Sequence, residues 1–195
     1  MANVLLFHHA LGLTAGMDAF AEVLREAGHT VTVPDLYDGR IFGNLDEGIE
    51  YAAELGMDTV EELGVRIAER FPPEMVYIGF SLGVMPAQRL AQTRPGARGA
   101  VLISACAPLG TFADSWPAAV PVQIHGMDAD PYFVEEGDLD AAENLAASSP
   151  DADLILYAGA AHLFADISQP DYDMDAAFAL TRMVLRLLDR ADAAG

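Results

Sequence analysis

Ser81 stands in Gly79-Phe80-Ser81-Leu82-Gly83, between the apolar run MVYIGF and a segment of helical period, VMPAQRLAQ. A serine on a sharp strand-to-helix turn presents its hydroxyl beyond the strand end, with a helix N-terminus behind it. The flanking glycines are needed because β-carbons there would collide where strand and helix crowd together. Such a hydroxyl becomes a nucleophile only beside a base. The chain has ten arginines and no lysine, so Schiff-base and Ser-Lys chemistry are excluded. The base must then be His, Asp, Glu or Tyr. His162, in YAGAAH, is the one histidine in the last third of the chain and is the candidate. An acid to orient its imidazole is offered by Asp130 or Asp128 in HGMDADPYFV.

An acyl-transfer serine also needs donors for a developing oxyanion. Leu82 N–H, at the start of the helix, supplies one. The loop after the first apolar run, HHALGLTAG, supplies the other through Ala10 N–H, with Leu11 the next choice, and Gly12 and Gly16 give it room. If that strand continues through His8 and His9, they point to opposite faces and share no metal. His9 is then expected to line the pocket and His8 to be buried. Phe80, Leu11, Trp116, Tyr132 and Phe164 are candidate pocket-lining residues, with core packing as the competing reading. Cys106 is expected in the core, with the pocket as its alternative.

These residues are placed by a repeating pattern of short aliphatic or β-branched runs and longer helical segments, the signature of a parallel sheet covered on both faces. Strands are predicted at residues 3–9, 29–33, 75–80, 99–104, 120–125 and 153–157. Helices are predicted at 16–27, 46–70 with a break near Gly56, 82–94, 138–148 and 172–190. Asp18 and Asp58 mark helix starts, and Gly28 marks a stop. The candidate nucleophile, acid and base, Ser81, Asp130 and His162, each fall just beyond a different strand. The expectation is an α/β fold with a six-stranded, mostly parallel sheet, as one domain over residues 1–195.

Composition narrows the partners. The 195 residues, 52% hydrophobic, suffice for one full core. A net charge of −20 argues against nucleic acid and anionic membranes, which require clustered cations. The start, MANVLLFHHA, has no basic n-region and its apolar run is short, so a cytoplasmic protein is expected. A single cysteine excludes an intrachain disulfide and a multi-cysteine zinc site. No cofactor and no metal are expected.

The order Ser81, Asp130, His162, each beyond a different strand, is that of the α/β-hydrolase triad. The stretches LLFHHALG, VPDLYDGR, GFSLGVMPAQ, VPVQIHGMDADP and HLFAD resemble the dienelactone hydrolase family, particularly its small actinobacterial-type members, over nearly the whole chain. The resemblance implies an α/β-hydrolase fold. It favours Asp130 over Asp128, because the acid in such hydrolases stands directly before a Pro-aromatic-Val run. It also exposes departures. Well-known members carry a cysteine nucleophile where this chain has Ser81, and a glutamate on the oxyanion loop where it has His9. The arginine that reads a substrate carboxylate four residues after the histidine aligns with Asp166, whose charge would repel a carboxylated lactone. Arg40 could supply a cation from another direction, or simply be solvated. The expected activity is hydrolysis of a small neutral ester, thioester or lactone through an acyl-enzyme. The rival is a non-catalytic ligand-binding or regulatory protein on the same fold.

Overall fold

Residues 1–193 are described by the structure, a computed structural model. The strands are β1 (Asn3–Phe7), β2 (Thr30–Thr32), β3 (Val76–Phe80), β4 (Gly99–Ile103), β5 (Val122–Met127) and β6 (Ala152–Tyr157). They form one six-stranded sheet in the order β2-β1-β3-β4-β5-β6, parallel at every pairing. The helices are α1 (Ala15–Glu26), α2 (Leu45–Leu55), α3 (Met57–Ala68), α4 (Val84–Thr93), α5 (Pro131–Glu135), α6 (Asp138–Ser148) and α7 (Met174–Ala193). No helix among the described residues is long and apolar enough to cross a membrane.

Strand alternation divides the apolar residues between two cores. Leu5, Phe7, Tyr77, Leu102 and Ile124 pack against α2, α3, α4 and α6. Val4, Leu6, Val76, Ile78, Val101 and Ile103 face the other way, onto Phe20 and Leu24 of α1 and Leu180, Val184 and Leu187 of α7. Burial on both faces explains why the strands read as unbroken apolar runs.

The strand order reverses between β1 and β3. In a parallel α/β sheet such a reversal opens a crevice at the C-terminal strand ends, where successive connections leave to opposite faces. The loop carrying Ala10 follows β1, and Ser81 follows β3, so the topology alone brings the two together at this crevice.

α5 falls where no helix is expected from the sequence, and three of the departures at element ends have a local reason. β1 stops at Phe7 rather than residue 9, because the His9 carbonyl accepts from Gly12 N–H at 3.1 Å and from His8 Nδ1 at 2.8 Å and so leaves the ladder. β5 runs on to Met127, through Gly126, whose missing side chain admits the Phe133 ring rather than marking a turn. α1 is capped by Thr14, whose side chain accepts from Met17 N–H, while Asp18 sits inside the first turn. Gly56, at φ 88°, breaks the long helical segment into α2 and α3 where expected.

Candidate active site

β3 ends at Phe80, and the chain enters a single 3₁₀ turn, Ser81–Gly83, that leads directly into α4. Ser81 has φ 48°, a left-handed conformation that non-glycine residues seldom adopt. The turn closes this tightly because a β-carbon on Gly79 would overlap the Gly83 carbonyl, and one on Gly83 would overlap the carbonyls of Phe7 and His8. Glycine at both positions is therefore a packing requirement of the serine turn.

Ser81 Oγ lies 2.7 Å from His162 Nε2, and His162 Nδ1 lies 2.7 Å from Asp130 Oδ2. With the acid accepting at Nδ1, the imidazole carries its proton there and Nε2 is left to accept from the serine hydroxyl. Asp130 is fully buried, and its second oxygen accepts from Tyr132 N–H at 3.0 Å, capping α5. Asp128 is exposed and instead accepts from Gly159 N–H at 3.0 Å. His162 is steadied by two further groups. Its carbonyl accepts from Ser104 Oγ at 2.6 Å, and the Tyr132 ring leans on the imidazole at 4.8 Å between centroids.

The N–H groups of Leu82 and Ala10 have no acceptor among the described residues. Both residues line the same cleft as Ser81 and His162. The Ala10 loop is held from outside by α2. Gly48 sits so close to the Ala10 carbonyl that a β-carbon there would overlap it, and Phe42 N–H donates to the Leu11 carbonyl at 3.0 Å.

The cleft encloses about 200 Å³. Its lining includes the apolar Ile49, Met57 and Met85 and the acidic Glu136 and Asp138. Burial pushes the Asp138 carboxyl up, while Cys106 N–H donating to it at 2.7 Å acts the opposite way.

Of the residues expected around the pocket, Tyr132 lines this cleft and several others lie elsewhere. His9 is fully buried and faces Asp166, with 2.7 Å between Nε2 and Oδ2. Leu11 and Phe164 are buried, Phe164 against Tyr157. Phe80 packs edge-on to Phe20 in the α1–α7 core. Arg40 is exposed, with its guanidinium 4.9 Å from the centroid of the Tyr51 ring. Trp116 donates to Val120 O at 2.6 Å, in the segment leading into β5 and so beside the N-terminal strand ends. Cys106 is buried, and burial raises its thiol to about 12. Asp166 is fully buried as well and meets His9, Thr14 and Ser168. It is thus not placed to repel a substrate, and the acids that face the cleft are Glu136 and Asp138.

Sequence reasoning missed Ile49, Met57, Met85, Ser104, Glu136 and Asp138. Ser104 had a usable signal, since it directly follows β4, which pairs with β3, the strand leading to Ser81. It also holds φ 61°. The others project from helices or helix connections, where no strand-end rule applies.

Comparison with known proteins agrees with this architecture. The chain resembles a structure of a dienelactone hydrolase-like promiscuous phosphotriesterase from metagenomic libraries, with a TM-score of 0.76 and 19% identity, covering 98% of this chain and 87% of that one. A hydrolase of the alpha/beta superfamily from Xanthomonas campestris pv. campestris gives 0.68 and 22%, covering 97% and 99%. Both establish an α/β-hydrolase fold. Among curated proteins, a pimeloyl-[acyl-carrier protein] methyl ester esterase from Klebsiella pneumoniae is 32% identical over 72 residues, 37% of this chain and 28% of the esterase. The match thus spans under a third of that relative. The profile of the Dienelactone hydrolase family covers residues 1–191, and the chain belongs to that family.

Proposed function

We propose that the chain is a serine hydrolase cleaving a small carboxylic ester, thioester or lactone through an acyl-enzyme. The supporting observation is the continuous line from Ser81 Oγ through both nitrogens of His162 to the buried Asp130, with two contacts of 2.7 Å. In this reading Ser81 attacks the acyl carbon, and His162 Nε2 takes the hydroxyl proton and passes it to the leaving group. Asp130 holds the tautomer and stabilises the imidazolium. Leu82 and Ala10 N–H hold the oxyanion. Water then attacks the acyl carbon, His162 again serving as base, and Ser81 is released with the acid product.

The cleft favours an uncharged acyl group. Glu136 and Asp138 would oppose a substrate carboxylate, while Ile49, Met57 and Met85 offer apolar contact. Turnover of short p-nitrophenyl esters by wild type and Ser81→Ala tests the assignment. The variant should lose roughly 10²-fold or more in kcat with its fold intact by circular dichroism. Undiminished turnover would remove Ser81 as nucleophile. A folded wild type that neither turns over esters nor accepts a fluorophosphonate on Ser81 would favour ligand binding without catalysis.

A further inference from the structure

Asp166 is a fully buried carboxylate held by His9, Thr14 and Ser168, with no arginine among its hydrogen-bond partners in the described residues. His9 Nε2 lies 2.7 Å and Thr14 Oγ1 2.6 Å from Oδ2, while Ser168 N at 2.8 Å and Ser168 Oγ at 2.6 Å serve Oδ1. Burial alone would raise this carboxyl, but the hydrogen bonds outweigh it and bring it down to about 2. Leu11 N–H donates to His9 Nδ1 at 3.3 Å, which leaves Nε2 as the nitrogen that donates to Asp166. The space is cut to fit: a β-carbon on Gly16 would overlap the Asp166 carboxylate.

The location gives this network meaning. Asp166 closes the turn that directly follows His162, its N–H donating to the Leu163 carbonyl at 2.9 Å. His9 directly precedes Ala10. No other side-chain contact between the two loops is as short as 2.7 Å, among the described residues, apart from Thr14 to the same carboxylate. We propose that Asp166 and His9 are positioning residues, whose buried contact sets the spacing between the loop that carries His162 and the loop that carries the Ala10 N–H. The inference rests on the serine-hydrolase reading of Ser81. It assigns a role to a carboxylate that touches no substrate, acting through alignment of base and oxyanion donor, where a displacement of about 1 Å can cost 10²-fold in rate.

The test compares His9→Asn, His9→Gln and Asp166→Asn. Asparagine in place of His9 keeps an acceptor near Leu11 N–H but is too short to reach Asp166. Glutamine keeps a donor at the position of Nε2. Kinetics on p-nitrophenyl acetate are scaled to sites labelled by a fluorophosphonate, so that unfolded protein does not count, and thermal midpoints are recorded alongside. His9→Asn and Asp166→Asn should lower kcat per labelled site about tenfold or more with KM within about twofold, and His9→Gln should recover most of the loss. The double variant should be no slower than the slower single one, because both act on one contact. Lowered midpoints with kcat per site within twofold of wild type would overturn the proposal, as would His9→Gln as slow as His9→Asn. Retained turnover in Ser81→Ala would instead strike the serine-hydrolase reading itself, so the two failures are distinguishable.

Discussion

The Asp138 carboxylate borders the Ser81 cleft with one oxygen accepting from Cys106 N–H, and Glu136 lines the same cleft near it. A unit charge a few Å from a substrate carboxylate in water-like surroundings opposes it by roughly 1 kcal/mol, about fivefold in rate. Asp138→Asn should therefore improve kcat/KM for an anionic ester, such as the p-nitrophenyl monoester of succinate, about fivefold relative to p-nitrophenyl acetate. An unchanged ratio would place substrate charge away from Asp138. At this scale the chain was legible where chemistry restricts residue type. Ser81, Asp130 and His162 were readable as candidates because nucleophile, acid and base each need a particular side chain beyond a strand end. Asp166 was readable as an acid, but which way it faces depends on the turn that follows His162 and on the space left by Gly16. Glu136 and Asp138 gave no signal, since acids in a helix connection and in a first helical turn are ordinary on so acidic a surface.

α2, which in sequence is part of one long helical segment, holds the Ala10 loop from outside. Its Gly48 lies against the Ala10 carbonyl, and Tyr37 Oη reaches the Gly48 carbonyl at 3.4 Å. Gly48→Ala would favour the isolated helix, since alanine is preferred over glycine by about 1 kcal/mol in a helix interior. In place, however, the added methyl must push α2 or the Ala10 loop outward. The expected outcome is a kcat about tenfold lower on p-nitrophenyl acetate, with helix content by circular dichroism unchanged. Full activity would show that the loop tolerates displacement. The strands were well read because apolar runs on a doubly covered sheet are unambiguous. Their ends were not, because a glycine such as Gly126 reads as a stop in sequence and serves as a seat for Phe133 in three dimensions. α5, at five residues, is too short for periodicity to reveal.

Across the whole molecule, buried titratable groups bound the pH range of stability. His8 and His125 are buried neutral, which lowers them from 6.5 to about 4 and about 3. The unfolded chain binds those protons below 6.5 and the folded one does not, so their contribution is full above 6.5 and is lost as pH falls through 4 and 3. Asp166 acts in the same direction, from 3.8 down to about 2. Cys106 acts in the opposite one: burial raises it from 9.0 to about 12, so stability declines above 9.0, where only the unfolded thiol ionises. Burial of Tyr37 and Tyr157 raises both phenols and adds to the alkaline loss. The thermal midpoint should be flat between about pH 7 and about pH 9 and fall on either side; a midpoint that climbs steadily from pH 7 to pH 5 would contradict this. Trp116 offers a way to watch the unfolding. It is the sole tryptophan, buried and bonded to Val120 O beside the N-terminal strand ends, while the cleft opens at the C-terminal ends. Its ultraviolet emission is therefore a built-in optical gauge of the folded core, largely unresponsive to whatever occupies the cleft.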